Sequence, residues 1–462
     1  MLNSRKELLT ALFLSMASLV MLVWSAYVLP IHIDEALTHR HFADAGWKVA
    51  VSTYPFPNNH FLFSFLAAFA IKLPLDPVFL MRLIAVLSAL ANGWLIYRIT
   101  HIYTTTFVSV FFPILWLFSL GGFYYATHAR GYGLQLTMLL AGIHCVLGWK
   151  AQLERGLPMT FQTPGLLFII VSALGFFTVP TFLIPFSSLM VWLFSLIVTN
   201  KQLRFENMKL YLGLGIGTMA LTFLLYLPLF YFTGIDAILN NQWVMERKLE
   251  NLSQHQIQST FFDVGAYIGI VLIALSLIVF AYTIRAKSNG PLLFLTPFLL
   301  VPLIFVVTMD SLPFARTFAY LPAIFVIFIV SALSNSQLLQ SKKVVVLLVG
   351  VVAISGALAF NRLQTSMSTD TKNALHIQQQ LSSQFDQQII YVKGWDETAH
   401  LIDYYSWRTG LGPSVKFIYD EYEWNERSQD PMVLLTGDPM LASNERCKAI
   451  VSEGKFSIYR CN

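Results

Sequence analysis

Charged side chains are scarce in this sequence: only 12% of its 462 residues are Asp, Glu, Lys or Arg. Soluble globular domains carry about 25% charged residues, so the composition excludes an ordinary water-soluble protein. The Lys and Arg residues lie mostly at the ends of apolar runs, and no basic tract is interleaved with aromatic residues in a polar domain. That distribution argues against a nucleic acid as a partner, despite the net charge of +5.

Cysteine is also scarce, with three residues in the whole chain. Cys145 lies inside an apolar run and is predicted to be a small core residue. Cys447 and Cys461 lie near the end of a polar tail, where a disulfide would close a short loop and contribute about 3 kcal/mol to stability. Such a bond requires an oxidising compartment. Two unpaired thiols are the alternative.

Long apolar runs are abundant: 56% of the residues are hydrophobic and the mean hydropathy is +0.61. Because a helix needs about 20 apolar residues to cross a bilayer, the sequence predicts a polytopic α-helical membrane protein. The run 60–73, between Pro57 and Pro74, is too short to cross and is predicted to lie in the membrane interface or to re-enter the membrane. The eleven predicted crossings are 8–29, 79–99, 104–122, 132–150, 165–180, 183–199, 210–230, 263–284, 291–308, 314–333 and 344–360.

The distribution of positive charge orients these predicted helices, because loops rich in Lys and Arg stay in the cytoplasm. With eleven crossings the basic loops fall on the side of the N-terminus, and everything after residue 360 falls on the other side. The sequence therefore predicts a transmembrane domain, 1–360, and a small extracytoplasmic α/β domain, 361–462. In the tail, strands are predicted at 389–392, 415–419, 433–435 and 456–459, and helices at 366–385 and 396–408.

Two adjacent carboxylates, Asp34 and Glu35, follow the first apolar run and open the first predicted extracytoplasmic loop, 31–73. An acidic pair at the mouth of a membrane helix costs solvation energy, which favours a functional role. Asp34 is the candidate general base, able to accept the proton of a hydroxyl group. A divalent metal site is the alternative interpretation, because Glu35 and His39 have i, i+4 spacing and His32 is nearby.

Three further polar clusters are predicted on the same side of the membrane. Arginine binds phosphate through paired hydrogen bonds, so its presence there favours phosphate recognition. A base combined with a phosphate-binding cluster is what transfer from a membrane-held phosphate ester requires. The candidate donor- and phosphate-binding residues are His60, His128, Arg130, Tyr132, Arg316 and Tyr320.

The order of these motifs resembles a known superfamily. The sequence is similar to the GT-C glycosyltransferases, in the branch of the protein O-mannosyltransferases and the lipid A aminoarabinose transferases. The resemblance covers roughly residues 1–330, and its motifs are specific in combination rather than singly. They are Asp-Glu-Ala (34–36), Asn-Asn-His (58–60), Met-Arg-Leu (81–83), Ala-Arg-Gly-Tyr (129–132), and Arg316 followed by Tyr-Leu-Pro (320–322).

The resemblance implies a membrane-embedded polyprenyl-phosphate sugar as donor and transfer of the sugar to a hydroxyl of a glycan, lipid or protein outside the cytoplasm. Asp34 would be the catalytic carboxylate with Glu35 beside it, and Arg130 and Arg316 would contact the lipid phosphate. His60 would lie near the donor.

Many relatives carry an acidic residue at the position of His128, so this chain departs from the pattern there. A single in-line displacement, which inverts the anomeric centre, is favoured because Glu35 points away from Asp34 if the two are helical neighbours. The resemblance implies no certain cofactor, and a divalent metal remains possible.

Two other functions remain open at this level: a transporter or flippase for a lipid-linked glycan, and an oligosaccharide polymerase or ligase with a pyrophosphate-linked donor. A transporter calls for ionisable residues near the bilayer centre, which the predicted crossings lack apart from their ends and His144. The acidic pair directly after the first helix favours a monosaccharide-phosphate donor. The predicted location is the plasma membrane, with the N-terminus in the cytoplasm.

Overall fold

The structure is a computed structural model of the chain. It describes residues 5–55, 57–200, 203–239, 241, 247–334, parts of 344–379, 389–393, 397–411, 414–418, 432–436, 447–453 and 456–461. The chain divides into two compact units, the first comprising Met1–Val28 and Phe42–Phe360, the second Leu29–His41 and Asn361–Asn462. The second unit therefore groups residues 29–41, the acidic stretch that contains Asp34 and Glu35, with the polar tail, 361–462. The predicted domain boundary at residue 360 placed the two segments in different domains.

The apolar segments form α-helices, the structure in which a single segment satisfies its own backbone hydrogen bonds when water is absent. Of the helices described, α2 and α18 lie in the second unit. In chain order the α-helices are α1 (Arg5–Val28), α2 (Ile33–Thr38), α3 (Trp47–Ser52), α4 (Phe61–Ala70), α5 (Pro77–Thr100), α6 (Thr106–Ser109), α7 (Phe111–Leu117), α8 (Leu120–Thr127), α9 (Tyr132–Glu154), α10 (Gln162–Thr178), α11 (Leu183–Thr199), α12 (Arg204–Phe232), α13 (Asp236–Leu239), α14 (Gln254–Ile268), α15 (Ile270–Arg285), α16 (Asn289–Thr308), α17 (Leu321–Leu333) and α18 (Glu397–Thr409).

Six helical segments among the described residues are long and apolar enough to cross a membrane, and up to eight if each of two bent helix pairs counts as one crossing. The protein is therefore a multi-pass membrane protein. The six segments are Pro77–Thr100, Tyr132–Glu154, Pro180–Thr199, Arg204–Phe232, Asn289–Thr308 and Ala315–Leu333.

Two predicted crossings are not continuous helices. The crossing predicted at 104–122 consists of α6, α7 and the start of α8, and Ser119 begins α8 by accepting a hydrogen bond from the Gly122 N–H at 3.1 Å. The crossing predicted at 263–284 bends by 82° between α14 and α15. Gly269 lies at that bend with a φ of +87°, in the left-handed region that glycine tolerates. The crossing predicted at 344–360 falls largely outside the described residues, so the count of eleven stays a prediction.

The short helix α4 has 10 residues, all apolar except Ser64. At about 1.5 Å per residue it is about 15 Å long, half the thickness of a hydrocarbon core. Its length agrees with the prediction that the run 60–73 does not cross the membrane.

Buried polar side chains join the long helices of the first unit. Arg82 on α5 donates a hydrogen bond to the Ala26 carbonyl oxygen of α1 at 3.1 Å, and Asn92 donates to the Gly133 carbonyl oxygen of α9 at 3.0 Å. Gly133 allows close approach, because a Cβ there would lie 3.2 Å from the Tyr125 carbonyl oxygen. Such bonds and small residues are how helices associate where the hydrophobic effect is weak.

The second unit contains a five-stranded sheet of order β2-β1-β3-β5-β4. Strand β1 runs parallel to β2 and β3, β5 runs antiparallel to β3 and β4, and α18 connects β1 to β2. Four strands overlap the predicted runs, and the fourth strand in sequence was not predicted. The predicted helix 366–385 is only partly within the described residues. The strands are β1 (Ile389–Lys393), β2 (Ser414–Ile418), β3 (Met432–Thr436), β4 (Cys447–Glu453) and β5 (Phe456–Cys461).

The register of β4 and β5 places Cys447 directly opposite Cys461. The Cβ atoms of residues opposite each other in an antiparallel pair are about 4.5–5.5 Å apart, close to the separation that a disulfide requires. The backbone therefore supports the pairing, and the disulfide itself stays a prediction.

We expect Cys447 and Cys461 to be bonded in protein purified without reductant. After denaturation, a maleimide should label only Cys145, and reduction should raise the labelling to all three cysteines. Intact-mass spectrometry distinguishes the two states. Labelling of every cysteine before reduction would show that the tail carries free thiols.

Candidate active site

The acidic pair lies in the first turn of α2, and its two carboxylates are in different environments. Glu35 is fully buried, and its Oε2 accepts a hydrogen bond from the His32 backbone N–H at 2.9 Å, while His32 Nδ1 accepts from the Asp34 N–H at 3.2 Å. This reciprocal capping satisfies N–H groups that the helix itself leaves unpaired. The Asp34 side chain is 18% exposed, with one carboxylate oxygen 4.0 Å from His32 Nδ1. Asp34 is therefore the more accessible carboxylate.

The candidate metal ligands Glu35 and His39 are both engaged by the protein. Glu35 closes the cap of α2, and His39 Nδ1 lies 3.0 Å from the hydroxyl of Tyr404. Within the part of the chain that the structure describes, no three His, Cys, Asp or Glu side chains are grouped to hold a metal ion. The geometry gives the metal interpretation no support there.

Side chains of the Asn-Asn-His motif (58–60) form hydrogen bonds to backbone groups of other segments of the first unit. The Asn59 side-chain amide donates to the carbonyl oxygens of Ala50 and Thr53, at 2.9 and 2.7 Å. His60 Nδ1 accepts a hydrogen bond from the Gly131 backbone N–H at 2.6 Å. Because Nδ1 is the acceptor, the proton of the neutral ring is on Nε2, and His60 is a donor on its other side.

The Ala-Arg-Gly-Tyr motif meets His60 in space. The His60 and Tyr132 rings are perpendicular, with centroids 4.7 Å apart, and Arg130 lies 5.9 Å from the centre of the Tyr132 ring. A Cβ at Gly131 would lie 2.6 Å from His60 Nδ1, so only glycine fits this position. The two motifs therefore form one packed cluster, in which Arg130 is 2% exposed.

His128, at which the sequence was expected to depart from the family pattern, has its ring against its own helix. Nδ1 donates to the Tyr124 carbonyl oxygen at 2.9 Å, and the ring stacks on Tyr124 with centroids 4.0 Å apart. A hydrogen bond to a terminal carbonyl is a capping role. A role for His128 in donor binding stays a prediction.

Two further arginines in the same unit contact one aromatic ring. Arg247 and Arg316 lie 4.8 and 4.5 Å from the centroid of Phe314. Arg247 also donates to the Leu312 carbonyl oxygen and to the Thr260 hydroxyl, each at 2.9 Å. Burial lowers the pKa of Arg247, and the nearby charge of Arg316 lowers it further. Two like charges are therefore held close together on one loop surface.

The buried hydroxyl of Tyr54 is within electrostatic range of both Arg316 and Arg130. Burial raises the pKa of the Tyr54 hydroxyl and Tyr132 acts in the same direction, whereas the positive charges of Arg316 and Arg130 act in the opposite one. Both guanidinium groups therefore lie near the same hydroxyl. Arg130, Tyr132 and Arg316 therefore all act electrostatically on one buried hydroxyl of the first unit, and Arg247 lies beside Arg316 at the Phe314 ring. The roles of these residues in donor binding stay predictions.

Arg247 was not among the predicted site residues, although the sequence carries a signal for it. Loops on the extracytoplasmic side are normally poor in Lys and Arg, so an Arg-Lys pair at 247–248 in such a predicted loop is unusual. Tyr320, by contrast, was predicted to bind the donor and is buried in the apolar core, with its ring 6.4 Å from that of Phe298. Its part in donor binding stays a prediction.

Comparison with known proteins identifies the fold. No protein-family model matches the sequence, and neither does any curated protein. The structure, however, is similar to the crystal structure of ArnT from Cupriavidus metallidurans in the apo state, with a TM-score of 0.61 and 10% identity over 99% of this chain and 98% of that one. The chain has an ArnT-like fold. This confirms the fold that the motif resemblance implied.

A second crystal structure of the same ArnT, bound to undecaprenyl phosphate, matches equally well. Its TM-score is 0.61, with 11% identity and coverage of 97% of both chains. The similarity extends over the polar tail as well as the membrane helices, because nearly the whole length of each chain is matched. At this level of identity the similarity establishes the fold alone.

We expect Gly131→Ala to destabilise the protein, because the added methyl group would displace the His60 ring and break its hydrogen bond. Overpacking of this kind costs about 1–3 kcal/mol. The change should lower the unfolding temperature measured in detergent by a thermal-shift assay.

The matched control is Gly148→Ala, where the new methyl group meets no atom within 4 Å and alanine favours the helix. Its unfolding temperature should stay unchanged or rise. Equal unfolding temperatures for Gly131→Ala and the parent protein would show that His60 and Gly131 do not lock the two motifs together.

Proposed function

We propose that this protein is a glycosyltransferase that transfers a sugar from a polyprenyl-phosphate donor to a hydroxyl group on the extracytoplasmic face of the membrane. One observation carries the proposal: the fold matches, over 97% of both chains, an ArnT bound to undecaprenyl phosphate. The arginines that share the Tyr54 region of the first unit support it, because they suit an anionic lipid headgroup. The proposed location is the plasma membrane, with the N-terminus in the cytoplasm and the tail outside.

In the proposed reaction the acceptor oxygen attacks the anomeric carbon while the bond from that carbon to the phosphate oxygen breaks. Asp34 accepts the proton of the acceptor hydroxyl, and the phosphate leaves with the bonding electrons. A cluster of fixed cations stabilises the charge that develops on the departing oxygen. A single displacement inverts the anomeric centre, and it is favoured because the Glu35 carboxylate is already held by the His32 N–H.

The electrostatics of the arginine pair support phosphate as its ligand. Arg247 and Arg316 both contact the ring of Phe314, and their positive charges repel each other. A guanidinium stays protonated at any ordinary pH, so the repulsion cannot be relieved by loss of a proton. A bound phosphate would relieve it through charge-assisted hydrogen bonds.

We expect Asp34→Asn to abolish transfer, because an amide cannot accept the proton. General-base assistance contributes about 10²–10⁴-fold to a rate. The assay incubates purified protein with a panel of polyprenyl-phosphate sugars and a hydroxyl acceptor, and measures released polyprenyl phosphate. Binding of undecaprenyl phosphate should be unchanged.

Asp44→Asn is the control for this variant, since Asp44 is an exposed carboxylate a few residues further along the chain. It should transfer at the parent rate. Near-normal turnover by Asp34→Asn, with the protein folded, would rule out Asp34 as the base.

We expect Arg247→Ala to weaken binding of undecaprenyl phosphate about 10-fold to 100-fold, because a hydrogen bond to a charged group is worth about 1.5–3 kcal/mol. Arg247→Lys should have an intermediate effect, since it keeps the charge and loses the planar fork. Calorimetry in detergent measures the affinity, and undecaprenol tests whether the phosphate is what is recognised.

Arg285→Ala, which removes an exposed arginine at the end of α15, is the control and should bind normally. Undiminished affinity in folded Arg247→Ala, or equal binding of undecaprenol and its phosphate, would remove Arg247 from the phosphate site.

A further inference from the structure

Helix α18 of the polar tail is joined to the acidic stretch by an ion pair between Arg40 and Asp403. Asp403 is 7% exposed, whereas the Arg40 side chain is 28% exposed, so the carboxylate is the shielded partner of the pair. Burial lowers the pKa of His41 to about 4 and that of His400 to about 3, and the charge of Arg40 acts in the same direction on both. Both rings are therefore uncharged at neutral pH, and Arg40 is the positive charge that Asp403 balances.

Aromatic side chains of α18 surround His39. The His39 Nδ1 and the Tyr404 hydroxyl are 3.0 Å apart, and both residues are buried. The Trp407 ring meets the His39 ring edge-on with centroids 5.3 Å apart, and the Arg40 guanidinium lies 5.9 Å from the centre of the same indole. The C-terminal end of the acidic stretch is thus packed as well as ion-paired.

A third contact lies before Asp34 in the sequence. The Thr371 hydroxyl donates a hydrogen bond to the Ile31 carbonyl oxygen at 3.1 Å. The tail therefore holds the acidic stretch at Ile31 and again at His39 and Arg40, and Asp34 lies between the two points. This arrangement is the reason that residues 29–41 group with the tail rather than with the membrane helices.

Helix α2 is short: it has six residues and continues as a π-helical segment over His39–Ala43. Isolated helices shorter than about 12–15 residues are marginal in water. Its cap and its tertiary contacts must therefore supply its order. A displacement of about 1 Å at a reacting group can reduce a rate about 100-fold, so contacts that orient α2 would control the chemistry of Asp34.

We infer that α18 is a positioning element for the catalytic carboxylate, with Tyr404 and Asp403 as positioning residues that act on Asp34 through His39 and Arg40. The inference rests on the proposed function. By this inference the polar tail contributes to catalysis without contacting the substrate, because it orients the carboxylate of Asp34.

Tyr404→Phe is the sharpest test, because it keeps the ring and removes only the hydroxyl, which meets His39 at 3.0 Å and accepts a longer hydrogen bond from Arg408 at 3.4 Å. Loss of one hydrogen bond worth about 1 kcal/mol should accelerate amide hydrogen exchange in residues 31–41 by about fivefold. We expect kcat to fall by at least the same factor, while KM for the donor and the affinity for undecaprenyl phosphate stay constant. Thr409→Ala, exposed on the same helix, is the control and should change none of these quantities.

Reversal of the charges of the Arg40–Asp403 ion pair is a second, independent test. Arg40→Asp and Asp403→Arg should each lower kcat and accelerate exchange, and the double variant should recover both because it restores an ion pair in the opposite sense. Recovery in the double variant shows that the losses in the single variants come from the broken ion pair.

Accelerated exchange with an unchanged kcat, or unchanged exchange in all variants, would overturn the inference. A fall in kcat that is accompanied by weaker donor binding and a lower unfolding temperature would also overturn it, because a general structural role gives that pattern. If the parent protein releases polyprenyl phosphate from no donor, the proposed function fails instead, and hydrogen exchange still shows whether the tail holds residues 31–41.

Discussion

The exclusion of water from the bilayer constrains this molecule more than any other interaction. A polar group in that environment must find its partner inside the protein, which is why Arg82 and Asn92 bond to backbone carbonyl groups of neighbouring helices. The arginines proposed to bind phosphate lie between or at the ends of the helical segments: Arg130 and Arg247 lie between helices, and Arg316 lies at the start of the segment Ala315–Leu333. The chemistry proposed here depends on how the loops and helix ends that carry them are fixed.

Those loops are fixed by contacts among the motif residues themselves. His60 and Gly131 form one unit in which a ring nitrogen accepts from a backbone amide, and Asn59 bonds to the loop that precedes it. The segment that carries Arg247 is tied to the one before Arg316 by backbone hydrogen bonds to Leu312 and Asp310. A polar cluster held this rigidly suits recognition of a small charged headgroup, because little reorganisation is needed on binding.

Hydropathy was sufficient to predict most of the long helices and the short helix α4, because each depends on the composition of one continuous window. It failed at 104–122 and at 263–284, where the breaks depend on single residues. Ser119 accepts from a backbone N–H and starts a new helix, and Gly269 adopts a positive φ. Mean hydropathy over a window of residues does not detect a helix break that depends on one capping residue or one glycine. Short apolar runs predicted four of the five strands for the same reason that composition predicted the crossings: both are local properties.

The candidate site was predicted only in part. Asp34, Arg130 and Arg316 were identified as residue types that suit a base and a phosphate clamp, while Arg247 and Tyr54 were found only through their spatial neighbours. Glu35 was expected beside Asp34 in catalysis; in the structure its carboxylate closes the cap of α2, and its catalytic role stays a prediction. The capping contact depends on backbone hydrogen bonding, which a pattern of residue types does not show.

The sequence by itself determined that the chain crosses a membrane repeatedly, that its polar tail forms a separate kind of structure, and which motifs could carry phosphate chemistry. The tertiary structure decided which distant residues meet: His60 with Gly131, 71 positions apart, and His39 with Tyr404, 365 positions apart. The physical reason is that helices and strands follow from neighbours along the chain. Contacts between remote segments follow from the packing of the whole fold, which no local pattern encodes.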